Sequence, residues 1–185
     1  MDIFAHGLWT GVSYEALKRN SRRRISVSLA VFWGLIPDFF AFTIPFVYMF
    51  WNLATRGMTL GDFKSHVDIE PIAHTFPFYD LSNALYNISH SIFVFAAIFI
   101  LVAVIRKRAV WEMGAWLLHI IIDIPTHSYN FFPTPFLWPV SDFRVNGFSW
   151  GTPSFMFINY SLIFLSITIL FFSRHRKNTG NVKSD

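Results

Sequence analysis

The sequence predicts an all-α polytopic membrane protein, a bundle of about five helices made of four spans and a short N-terminal helix. Three observations predict it. The 185 residues are 54% hydrophobic and only 14% charged, a balance too apolar for a soluble domain of that length. Four apolar runs, 25–50, 88–105, 109–124 and 155–172, approach the ~20 helical residues that cross ~30 Å of hydrocarbon. Basic residues gather at 18–24, 106–108 and 174–177, each against one end of such a run. The 23 Phe, 7 Trp and 6 Tyr suit lipid-facing surface and interfacial belts better than an aqueous core.

The N-terminal stretch, residues 2–17, carries Gly7 and Gly11 four residues apart, a spacing that permits close helix contact. It lacks the basic segment of a signal peptide, so His6 is expected in the mature chain. The first long run contains Gly34-Leu-Ile-Pro37-Asp38, where proline is expected to open the helix and free backbone groups tolerable only against protein or a cavity. The second begins at Ser89-His90-Ser91. The third is the shortest and carries Glu112, His119 and Asp123. Its His119-Ile-Ile-Ile-Asp123 puts two N/O ligands on one helical face. Pro125 is expected to end that helix and leave His127 on the turn beyond. Glu112, seven residues before His119, is expected to support a ligand from behind.

Placing every basic cluster on the cytoplasmic side gives one consistent orientation, with loops 52–87 and 125–154 outward. Residues 1–173 then form one membrane-embedded unit, and 174–185 a basic, disordered cytoplasmic tail. Nucleic acid is not the expected partner, because each basic cluster abuts an apolar run.

Climbing from each cluster at ~1.5 Å per residue brings His6, Asp38, His90, His119 and Asp123 to one layer, roughly 17–24 Å up. Asn159 falls at a similar level. A charged group near the bilayer centre costs at least ~2.5 kcal/mol, so such residues turn inward and pair, and a divalent cation pairs with several at once. The chain has no Cys, so the ligands must be nitrogen and oxygen. Zn²⁺ is the first expectation, Mn²⁺ or Fe²⁺ the next, as one or two ions. His66, His74 and His175 are expected to be solvated.

The ordered set His6-Gly7, Pro37-Asp38, Ser89-His90-Ser91, His119-xxx-Asp123 with Thr126-His127, and Trp138-Pro139 resembles the YdjM-like (DUF457) family of predicted membrane-bound metal-dependent hydrolases. The order is also similar to that of zinc-dependent phospholipase C enzymes, which cleave phosphodiesters. The resemblance implies metal-ligand roles for His6, Asp38, His90, His119, Asp123 and His127.

The function expected is hydrolysis by a metal-dependent enzyme of a bacterial inner (plasma) membrane, acting at the outer face on a lipid-linked or other anionic phosphoester. Asp123 or Asp38 is the expected general base. Trp138 and Arg144, on an aromatic and Pro-rich outer loop, are the expected substrate contacts. The competing classes are a cation or proton transporter or channel component, and a non-catalytic scaffold stapled by a structural metal.

Overall fold

The structure is a computed structural model that describes residues 1–55, 57, 59, 61 and 78–181, with side chains as far as Ser173. The described residues contain six α-helices and no strand. They are α1 (Ile3–Asn20), α2 (Val27–Ala54), α3 (Tyr79–Ser89), α4 (Ile92–Arg106), α5 (Gly114–Thr126) and α6 (Pro153–Asn181), with a 3₁₀ turn at Trp111–Met113 before α5. His66 and His74, and the side chain of His175, lie outside the described residues. α6 continues to Asn181, past position 173 where the polar tail is expected to begin.

Side-chain caps set several of the helix starts. Asp2 Oδ1 accepts from Ala5 N (3.0 Å) at α1, Ser26 Oγ from Leu29 N (3.3 Å) at α2, and Ser91 Oγ from Val94 N (3.2 Å) at α4. The cap at Ser91 changes the expected helix count. The apolar run 88–105 is two helices, because the chain breaks at His90-Ser91 and the pieces bend by 58°. The break is pinned from outside: Trp116 Nε1 donates to Ser89 O (2.6 Å), Ile92 N donates to Phe136 O (3.0 Å), and Ser91 Oγ donates to Trp138 O.

Among the described residues, two helices, α2 over 28 residues and α6 over Pro153–Ser173, are long and apolar enough to cross a membrane, and α3 with α4 makes a third only as one bent span. The fourth expected span is corrected. α5 has 13 residues, about 20 Å of helix, short of a ~30 Å hydrocarbon layer. The surface supports a lipid setting: Phe157, Phe164 and Val104 are 76%, 73% and 69% exposed, part of an apolar exterior that water would not tolerate.

α2 is the hub, packing against α1, α3 and α5, while α6 packs on α1. Pro37 and Pro45 lie inside α2 without ending it, so the opened helix expected at Pro37 is not found. The close approach expected at Gly7 and Gly11 falls elsewhere. A Cβ on Gly11 would meet Val31 at an ordinary 3.8 Å, whereas one on Gly34 would stand 2.5 Å from Thr10 Oγ1. Gly34 is where α1 and α2 touch.

The basic end is held together by its own contacts. Arg19 donates to Leu170 O (2.6 Å) and Ser173 Oγ (3.1 Å), and the Arg23 guanidinium lies 4.3 Å above the Trp111 ring. Glu112 accepts from Ser26 N at 3.0 Å. It therefore ties the start of α2 to the 3₁₀ turn and does not reach His119, because that turn interrupts the helical face joining them.

Candidate metal centre

Four of the five residues that helix arithmetic puts in one layer form a single cluster. Asp38, on α2, His90, at the break between α3 and α4, and His119 and Asp123, on α5, bring one ligand atom each to within 4.8 Å of one another. All are buried, at 8%, 0%, 1% and 0% exposure. His90 Nε2 and His119 Nε2 are 3.0 Å apart, and Asp123 Oδ2 lies 3.3 and 3.2 Å from them. Asp38 Oδ1 lies 3.5 Å from His119 Nε2 and 3.7 Å from His90 Nε2. Ligand atoms ~2.0–2.2 Å from a tetrahedral Zn²⁺ stand ~3.3–3.6 Å from one another. Five of the six edges match that spacing to within about 0.3 Å.

The backbone orients His119. Its Nδ1 is 2.7 Å from the carbonyl oxygen of Gly34, an acceptor only, so Nδ1 carries a proton and Nε2 faces the cluster. Ser89 Oγ lies 2.9 Å from His90 Nδ1 and holds that ring. The two Nε2 atoms face each other at 3.0 Å, and Asp123 Oδ2, buried without a hydrogen bond, adds a negative charge at the same place. The donor set fits a divalent ion, and these four residues can hold one.

His6 and His127 do not join the four. They stand around the other oxygen of Asp123: His6 Nε2 at 2.9 Å, His127 Nε2 at 3.5 Å, and the Met1 nitrogen at 2.5 Å. Neither His6 ring nitrogen is in hydrogen-bonding geometry; the ring stacks on His119 at 3.6 Å between centroids. His127 follows the end of α5, as Pro125 predicts, and its Nε2 is 2.7 Å from the Met1 nitrogen. That nitrogen lies 2.5 Å from Asp123 Oδ1, between it and His127 Nε2.

The loop of residues 127–152 closes over this centre. Gly147 N donates to His127 O and Phe148 N to Pro125 O, both at 2.8 Å, while Phe131 and Phe132 pack with Phe42, Met49 and Tyr86. A cleft above Asp38 and Asp123 wide enough for a phosphate is expected from sequence; the observed roof is shut, with Asp38 the most exposed of the four ligands. The two residues expected to meet substrate lie to the side. Arg144 donates to Asn87 Oδ1 (3.2 Å), and Trp138 lends its carbonyl to Ser91; no contact of either with the four ligands occurs among the described residues.

Sequence reasoning missed several members. Tyr86 stacks on His90 at 3.7 Å between centroids, a contact legible in the i, i+4 spacing of the two on one helical face. The carbonyl of Gly34 and the nitrogen of Met1 carry no side-chain signal and were not findable. Comparison with family models, with curated proteins and with solved structures finds no match to this chain.

Proposed function

We propose that the chain is an integral membrane metal-dependent hydrolase, of the YdjM-like kind that its motifs resemble, acting on a lipid-linked phosphoester. The observation that carries the reading is the set of Asp38, His90, His119 and Asp123 ligand atoms within 4.8 Å of one another, delivered by three different parts of the chain. A divalent ion bound there supplies Lewis acidity and lowers the pKa of coordinated water toward ~7.

The chain's own groups divide the remaining work. Asp123 has both oxygens committed, Oδ1 to Met1 and His6 and Oδ2 toward the two imidazoles. Asp38 offers only Oδ1 to the cluster and is the more exposed carboxylate, so it is the better general base. Arg144, held by Asn87, is the one cation in the sequence 127–152 and is offered for a headgroup phosphate.

The test is elemental analysis of detergent-purified protein followed by turnover of a fluorogenic phosphodiester lipid. About one ion per chain is expected, with activity removed by a chelator and restored by Zn²⁺ or Mn²⁺. Metal-free protein would end this reading. A second reading, a metal that only ties the helices, is favoured by the enclosure of all four ligands, since structural sites are closed; a stoichiometric ion with no turnover on any phosphoester would select it.

Orientation is a separate prediction, motivated by the basic end formed by α1, the 3₁₀ turn and α6. Facing the cytoplasm, it puts the loop that closes over the metal centre outside. In this Cys-free chain, a cysteine at exposed Val140 should react with an impermeant maleimide in intact cells, and one at Asn20 only after permeabilisation. The reverse pattern would invert the topology and the outer-face substrate with it.

A further inference from the structure

A groove of about 1220 Å³ runs between α1, α2 and α6, and none of the four metal ligands lines it. Its apolar walls include Val12, Val31, Phe39 and Phe171. Gly7 and Gly11 line it as well, so the spacing that makes no close helix contact leaves room instead. The stretch of α1 from Gly7 to Arg19 is about 18 Å long, close to the ~15 Å that one leaflet contributes to a ~30 Å hydrocarbon core.

The groove has one charged end, where Glu15 and Arg19 line it. The Arg19 guanidinium is held there from two helices: Nε donates to Glu15 Oε1 (3.0 Å), and Nη1 donates to Leu170 O (2.6 Å) and Ser173 Oγ (3.1 Å). Its Nη2 makes no hydrogen bond among the described residues, and the side chain is 23% exposed. A fixed guanidinium with an accessible donor edge suits a phosphate oxygen. Glu15 spends its charge on Arg19, and five cations stand against that one acid between residues 15 and 24, so the end stays positive. An anionic amphiphile matches this layout, with hydrocarbon against the walls and phosphate at the arginine. A second copy of the chain does not. Inserted in the same membrane it shares this orientation, and its own cationic end would stand beside this one and repel it.

We propose that the groove is a binding site for an anionic phospholipid of the leaflet on the basic side, its acyl chains lying along α1, α2 and α6 and its phosphate accepting from Arg19 Nη2. The net anionic class follows from the excess of cations around the guanidinium, each of which favours a negative headgroup over a zwitterionic one. The site shares no residue with the metal centre and does not rest on the hydrolase reading.

The test is native mass spectrometry of the detergent-solubilised full chain, titrated with dimyristoylphosphatidylglycerol and with dimyristoylphosphatidylcholine, which have the same chains and differ in headgroup charge. The anionic lipid should bind about tenfold more tightly. Arg19→Gln should lower its affinity about fivefold, the size of one cation at an anionic surface, and narrow the preference to about twofold. Arg106→Gln removes a cation that does not line the groove and should change neither lipid. Gly11→Leu puts a side chain into the groove, where a Cβ would meet Val31 at an ordinary 3.8 Å. It should weaken both lipids about fivefold at an unchanged ratio, and it serves where Arg19→Gln fails to assemble. Equal affinity of the natural chain for the two lipids, equal losses from Arg19→Gln and Arg106→Gln, or undiminished binding to Gly11→Leu would each overturn the proposal. Displacement of the lipid by glycerophosphoglycerol, the same headgroup without chains, would reduce the site to a phosphate contact and overturn it too. A lipid-free dimer that Gly11→Leu disperses would give the groove to a second copy instead.

Discussion

Asp123→Asn is expected to empty the metal centre and abolish turnover, while Asp38→Asn is expected to keep the ion and lose turnover alone. The difference comes from how the two carboxylates are engaged. Asp123 is fully buried and meets both imidazoles through Oδ2 while its Oδ1 holds Met1 and His6. An amide there replaces an anionic oxygen by a neutral group at the most connected point of the cluster. Metal content should fall below about a tenth of the natural level, since even outer partners of a ligand are worth 10–100-fold in affinity. In Asp38→Asn, His90, His119 and Asp123 remain, so metal should be retained, whereas loss of a general base removes roughly 10²–10⁴ in rate. Metal analysis and a turnover assay on the same preparations decide it. Equal metal loss in both variants would leave Asp38 a ligand and nothing more, and intact activity in either would remove that residue from the mechanism.

Gly147→Ala should be as damaging as a ligand change, although Gly147 is a loop residue outside every motif. A Cβ there would lie 2.7 Å from the carbonyl oxygen of His127 and nearer still to the Pro125 carbonyl. These are backbone atoms at the end of α5, so no rotamer change relieves the contact. The two strand-like hydrogen bonds that Gly147 and Phe148 donate must break or shift. Overpacking of this kind costs ~1–3 kcal/mol or more, and the lost hydrogen bonds add about 1 kcal/mol each. A fall in melting temperature of roughly 6–20 °C follows for a chain of this length, with His127 displaced from Asp123. Gly11→Ala, whose Cβ would meet Val31 at an ordinary 3.8 Å, is the control. A thermal melt in detergent unchanged by Gly147→Ala would show that the loop does not clamp α5.

The site was more legible than the fold. Buried Asp and His in apolar helices are expensive enough that depth alone located Asp38, His90, His119 and Asp123 in one layer, and their side chains do converge. What hydropathy could not supply was the division of the apolar run at His90-Ser91. Ser91 caps a new helix with the hydroxyl that also reaches Trp138, a tertiary contact that outweighs helical continuity. The same limit explains Glu112. Seven residues predicts one face with His119 only if the helix is unbroken, and the 3₁₀ turn Trp111–Met113 rotates it toward Ser26. Pro37 illustrates the converse. A proline can sit inside α2 because the turn around it is buried against neighbouring helices, so its presence marks a packed surface and not a break.

The hydrogen bond from His119 to Gly34 spans 85 residues of sequence, and this has a consequence for biogenesis. A ribosome that feeds the chain into a membrane delivers Asp38 long before His119 and Asp123 exist. During that interval the acid has no imidazole from α5 and no ion, and its burden in lipid is at least ~2.5 kcal/mol. The high hydrophobicity of α2, with Phe at 32, 39, 40, 42, 46 and 50, then acquires a second purpose. It carries the acid through insertion on its own, so the ligands can meet after the last helix has left the translocon.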